Sequence, residues 1–296
     1  MLKINIIWLC AYNIKKCIND IEALYSIKKK IDKNINLNLF IADRRREGLN
    51  VEVYHKDFKG RYNIFYSSKV RSHQKDYYYL TKNFYSNFTL SLTDDDKIHI
   101  ESLVNFLNIL QKNQKEKIVL AIPSDPSIKT NNKLEPNKKY NFWEYQFQRG
   151  PNLAYYAAIS SNNLFNTCSQ FVKYKTDIWI HPMYDQCFIW SILKRGKYKI
   201  KTVKSYYMNY DNSNWASRKK SLETVEKHKL KYKINQTQEV LAFRDVLYIY
   251  SNNKLDCQIL IWFFYLVYRN LRYYRNPFKT INCIFNLAFY FLNFRK

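Results

Sequence analysis

Three consecutive carboxylates, Asp94, Asp95 and Asp96, follow directly on Thr89-Leu90-Ser91-Leu92-Thr93, a short apolar run that reads as a buried strand. Side chains alternate along an extended segment, so Asp94 and Asp96 are expected to face the same way where the strand ends. Two anionic oxygen donors so placed repel each other unless a cation sits between them. Hard divalent ions, Mg2+ or Mn2+, are the natural partners. The same residues also suit a solvated acidic turn that caps a following helix, because Ile100, Leu103, Leu107 and Leu110 continue at helical spacing.

The surrounding elements decide where these carboxylates stand. Ile4 to Cys10 is a strand-like apolar run, Ala11-Tyr12-Asn13 a loop, and Ile14, Ile18, Ile21, Leu24 and Tyr25 the stripe of an amphipathic helix. Asn36 to Asp43 is a second apolar strand that ends in a carboxylate, and a strand, helix and strand joined this way form a right-handed parallel unit. Tyr62 to Tyr66, Thr89 to Leu92 and Ile118 to Ile122 are further strands, which makes an α/β layered architecture. Open sheets of this kind bind ligands outside the carboxyl ends of their strands. Tyr12, Asn13, Asp43 and the aspartate triplet all fall there.

Taken in order, these segments resemble the family 2-like nucleotide-sugar glycosyltransferases of GT-A fold. Ile6 to Asn13 is similar to that family's opening strand and its Tyr-Asn loop, Phe40-Ile41-Ala42-Asp43 to the second strand whose Asp reads the base, and Leu92 to Asp96 to its DxD element. A later stretch, Trp179 to Gly196, resembles the family's Glu-Asp helix, with Tyr184 in place of the first carboxylate; the resemblance covers roughly the first 205 residues. It implies a Rossmann-like, mostly parallel mixed sheet with helices on both faces. It also implies a metal-dependent, inverting transfer of sugar from a nucleotide donor, UDP-linked, to a glycan or lipid-linked acceptor in bacterial surface polysaccharide synthesis.

The chemistry of such a transfer assigns roles. The donor leaves as a nucleoside diphosphate, and a divalent ion bridging its phosphates stabilises the developing charge. Asp94 and Asp96 are expected to hold that ion, Mn2+ or Mg2+. Ala11, Tyr12, Asn13, Asp94 and Asp95 are expected to line the nucleotide. Asp43, at a strand end, accepts the imide hydrogen of uracil or else brackets the basic turn Arg44-Arg45-Arg46. Lys69 and Arg71, with those arginines, supply positive charge to the phosphates or form a solvated basic loop. Asp185, at a helix start after Pro182, is the expected general base, with helix capping as its alternative role. Trp143 and Glu144, in an aromatic and polar run, are the expected acceptor contacts, a composition that an ordinary core shares.

A chain of 296 residues buries one sizeable α/β domain. The organisation expected is a catalytic domain over residues 1–210, a charged helical linker over 211–254, and an amphipathic helical extension over 255–296. In that extension the apolar run Ile259 to Tyr268 spans about 15 Å as a helix, short of a hydrocarbon core of roughly 30 Å. Interleaved Arg269, Arg272, Arg275 and Lys279 suit binding in the plane of an anionic membrane surface; a helical pair closing the domain is the alternative. Met1-Leu2-Lys3 runs straight into the first strand, so the protein is expected to be cytoplasmic and peripheral on the inner face of the bacterial inner membrane. The net charge of +25 calls for an anionic partner. The basic residues are spread along the chain rather than gathered in one arm, so no specific nucleic acid is expected, and a metal-dependent nuclease and a non-catalytic GT-A-like binding module are the competing classes. Six cysteines without close pairing are expected to be reduced core residues.

Overall fold

The computed structural model describes residues 1–45, 53–56, 59–66, 73–122, 134–141, 144–145, 156–173, 188, 192–193, 197–205 and 207–209. The chain runs β1 (Leu2–Cys10), α1 (Ile14–Ser26), β2 (Ile35–Asp43), β3 (Val53–Lys56), β4 (Asn63–Tyr66), α2 (His73–Asn83), β5 (Phe88–Thr93), β6 (Lys97–Ile98), α3 (Ile100–Lys112) and β7 (Ile118–Ile122). It continues through β8 (Lys139–Tyr140), β9 (Ala158–Ser160), α4 (Ser161–Lys173), β10 (Ile200–Lys204) and β11 (Met208–Asn209). The expected linker and extension beyond residue 210 lie outside the described residues.

Nine strands form one mixed sheet in the order β3-β4-β2-β1-β5-β9-β7-β10-β8. Strands β4, β2, β1, β5, β7 and β10 run one way, while β3 and β8 at the edges and β9 inside the sheet run against them. The mostly parallel α/β sheet expected from the apolar runs is therefore present, with a reversed strand in its middle. Strands buried on both faces read as continuous apolar runs, and β7 is buried along its whole length, β1 at all but Lys3.

Alternation along β1 sorts its side chains between two cores. Ile4, Ile6, Trp8 and Cys10 join Leu39 and Ile41 of β2 beneath Cys17, Ile21 and Leu24 of α1 and Leu103, Leu107 and Leu110 of α3. On the opposite face Asn5 donates its amide to the Phe84 carbonyl at 2.9 Å, Phe40 meets the Phe84 ring at 4.7 Å, and Phe65 meets Tyr79 of α2 at 5.4 Å. Helix α4 lies along α2, with Tyr78 stacked on Phe165 at 5.5 Å.

Register then gathers the carboxyl ends. Cys10 pairs with Asp43, Asp43 with Tyr66, and Leu9 with Thr93, so the loops leaving β1, β2, β4 and β5 share one edge. Because β9 is antiparallel to β5, with Phe88 opposite Ser160 and Thr89 opposite Ile159, each step back along β9 is a step forward along β5. Tyr156, just ahead of β9, is thereby delivered to the end of β5. Beyond β10 the chain returns as β11, which pairs with β6 directly after the aspartates, Met208 opposite Ile98 and Asn209 opposite Lys97.

Candidate active site at the carboxyl edge of the sheet

Strand β5 ends at Thr93, and Asp94, Asp95 and Asp96 form a bend rather than a continued strand. The expected alternation therefore stops one residue short of the triplet, and Asp94 and Asp96 are drawn to different partners. Asp94 Oδ2 accepts the backbone N–H groups of Tyr12 and Asn13, each at 2.6 Å. Those donors stand at the start of α1, where the helix leaves N–H groups unpaired and carries partial positive charge. Asn13 completes the start as N-cap, its side-chain oxygen accepting the Lys16 N–H at 3.1 Å.

Asp96 turns inward. Its Oδ2 accepts the Thr93 hydroxyl at 2.6 Å and the Tyr156 hydroxyl at 3.0 Å, while Oδ1 is buried with no hydrogen-bond partner among the described residues. Burial pushes the Asp96 carboxyl above the usual carboxylate range; the bond from Thr93 opposes this, the charge of Asp95 adds to it, and Tyr156 and Lys16 oppose it. Burial, with the charges of Asp96 and Asp95 beside it, raises the Tyr156 phenol well above its ordinary value, which keeps it a donor. An unpaired buried carboxylate oxygen costs free energy that a bound cation or a proton would recover. Asp96 thus fits a hard cation by its chemistry. Among the described residues no group of three or more His, Cys, Asp and Glu side chains is gathered around one point.

Other expected site residues take structural partners. Asp43 is 1% exposed, and its two oxygens receive the Arg45 guanidinium, Nε and Nη2 each at 2.9 Å, with the Arg45 N–H at 3.1 Å. Asp43 thus pairs with the basic turn that follows it. Arg44 is buried against Asp76 in the first turn of α2, Nη2 to Oδ2 at 2.5 Å. Glu144 and Asn141 form a reciprocal capping box: the Asn141 N–H reaches Glu144 Oε2 at 2.8 Å and the Glu144 N–H reaches Asn141 Oδ1 at 2.9 Å. Glu144 is therefore a cap, an occupation that its place three residues after an Asn already permits. Tyr12, next to Ala11 in the loop after β1, is 68% exposed.

Arg46, Lys69, Arg71, Trp143 and Asp185 lie outside the described residues. Of the Trp179 to Gly196 stretch, Phe188, Ile192 and Leu193 are described and buried. Phe188 stacks on Tyr77 of α2 at 5.9 Å, and the Ile192 carbonyl accepts the Asn163 amide of α4 at 2.6 Å. Cys10, Cys17 and Cys168 are free and buried, as core thiols. Sequence reasoning did not find Tyr156 or Thr93 as partners of Asp96, nor Tyr207. Tyr156 is 60 positions from Asp96, and nothing local marks the contact.

No family model matches the chain, and no curated protein does by sequence. Solved structures similar to it include S. aureus TarS 1-349 at 12% identity, covering 84% of this chain and 81% of that one with a TM-score of 0.45. A second S. aureus TarS structure is 11% identical, covers 88% of this chain and 50% of that one, and has a TM-score of 0.48. CMP:2-keto-3-deoxy-manno-octonic acid synthetase complexed with CTP is 10% identical, covers 76% of this chain and 100% of that one, and has a TM-score of 0.42. These likenesses are remote, and the fold is defined by the strand pairing given above. Among the described residues no helix is long and apolar enough to cross a membrane.

Proposed function

We propose that the chain is a nucleotide-sugar transferase that moves a sugar from a UDP-linked donor to a glycan or lipid-linked acceptor. The observation that carries this reading is the pairing of Asp94 with the Tyr12 and Asn13 N–H groups. It ties the loop after β1 to the aspartate bend after β5 at the carboxyl edge of the parallel strands, where open α/β sheets bind ligands. Tyr12 offers an aromatic face for a base there. The motif order along the chain supports the same assignment.

In this reading Asp94 and Asp96 would hold a divalent cation, Mn2+ or Mg2+, with Asp95 beside them. When bound, the cation neutralises charge that develops on the diphosphate leaving group. The protein's own part is to keep the carboxylates oriented, to hold the loop over the nucleotide, and to take the proton of the acceptor hydroxyl. Asp185 is proposed for the last task, as general base in an inverting transfer.

Transfer assays test it. A panel of nucleotide sugars with Mn2+ should reveal one that the wild type hydrolyses slowly or transfers. Asp185→Asn keeps a helix-capping side chain but cannot take a proton, so turnover should fall by about 100-fold or more with donor binding retained. Normal turnover in that variant moves the base elsewhere, and the absence of any donor among the panel sinks the transferase reading.

A further inference from the structure

Asp96 is held by two hydroxyls. Thr93 and Tyr156 both donate to the same oxygen, Oδ2, at 2.6 and 3.0 Å, so the carboxylate plane is set and Oδ1 is left without a partner among the described residues. Behind Tyr156, the Tyr207 hydroxyl donates to the Tyr156 carbonyl at 2.5 Å, and the Tyr207 carbonyl accepts the His99 N–H at 2.8 Å. Tyr207 is 2% exposed, with its ring against Phe106 of α3 at 5.1 Å. The strand it opens, β11, pairs with Lys97 and Ile98 immediately after Asp96. One residue thus secures both the backbone that follows the aspartate and the side chain that orients it.

We infer that Tyr156, held by Tyr207, is a positioning residue that fixes the Asp96 carboxylate for cation binding. The inference rests on the metal-dependent reading above. A carboxylate on two rotatable bonds loses that freedom when it ligates a metal; a carboxylate already held by two hydroxyl donors has lost it beforehand. Groups that hydrogen-bond a ligating carboxylate commonly set metal affinity by about 10- to 100-fold. A merely structural tyrosine would contribute to folding and leave cation affinity alone. Both hydroxyls are terminal atoms on rings that pack in the core, so Tyr→Phe removes the bond and keeps the packing.

The test is Mn2+ binding to the full chain in the presence of UDP, read by the loss of the free-ion paramagnetic resonance signal and accompanied by UDP titration in EDTA and by thermal melting. Wild type should take up Mn2+ and Asp96→Asn should not; without that difference both the metal reading and this inference fall. Given that difference, Tyr156→Phe should weaken Mn2+ binding by about 10-fold or more while UDP affinity in EDTA stays unchanged. Tyr207→Phe should move Mn2+ affinity in the same direction. Wild-type Mn2+ affinity in Tyr156→Phe, whether or not its melting temperature falls, overturns the inference and leaves the metal reading standing.

Discussion

Gln74, in the first turn of α2, is fully buried, and among the described residues neither its amide nitrogen nor its amide oxygen has a hydrogen-bond partner. An unpaired buried polar group costs about 1–3 kcal/mol, so Gln74→Met, which is of similar shape and apolar, should raise stability by about 1 kcal/mol in chemical denaturation. A loss of stability would mean that the amide is paired in solution. Asp96 poses the same imbalance in a charged group and resolves it differently, because Thr93 and Tyr156 hold one oxygen and only the other is orphaned. At this scale the sequence displayed the right residue types and concealed their bonds. The triplet Asp94-Asp95-Asp96 is plain to read, yet alternation along an imagined strand pairs Asp94 with Asp96, whereas the chain bends at Thr93 and commits each carboxylate to a separate donor set. Asp43 and Glu144 mark the same limit: a carboxylate near an Arg or an Asn in sequence finds that neighbour first, and local pairing is inexpensive in chain entropy.

Helix α1 anchors the candidate site, because the Tyr12 and Asn13 N–H groups just ahead of it hold Asp94 and Asn13 caps it. Its stripe Ile14, Ile18, Ile21, Leu24 and Tyr25 is legible as a helix face, whereas Asn13, read from sequence only as part of the preceding loop, is shown by the structure to be the cap. The second clamp is not legible, since Asp94 is 82 positions from Tyr12 and meets it only through the β1–β5 pairing. The two clamps should differ in energy. Asn13→Ala removes a neutral cap and should cost about 1 kcal/mol; Asp94→Ala strips a charged acceptor from two N–H groups and should cost about 1.5–3 kcal/mol. Urea denaturation of both variants measures this, and an Asn13→Ala loss equal to or larger than that of Asp94→Ala would show that the carboxylate does not carry the loop. Both changes act on one helix start, so the double variant should fall short of the sum. The strands divide the same way. Runs such as Ile118 to Ile122 are buried on both faces and read as strands from their apolar continuity, whereas β6, β9 and β11 have two or three residues each, too few for any period to show. It is these short strands that bring Tyr156 and Tyr207 to the aspartates.

Across the whole molecule the parallel strands set the address of the site, the reversed β9 imports a side chain to it, and β11 closes behind the aspartate bend. A net charge of +25 gives a polyphosphate ligand a favourable approach from any direction, but that charge alone does not separate a nucleotide donor from a nucleic acid. In the proposed function this edge binds a nucleoside diphosphate through a divalent ion on Asp94 and Asp96. Calorimetric titration of UDP in Mn2+ and in EDTA, on wild type and on Asp94→Asn/Asp96→Asn, tests it most directly, since Asn at position 94 keeps an acceptor oxygen for the loop. The account predicts that Mn2+ strengthens UDP binding to the wild type and leaves the double variant unaffected; equal affinity for UDP in both proteins, with and without Mn2+, would contradict it.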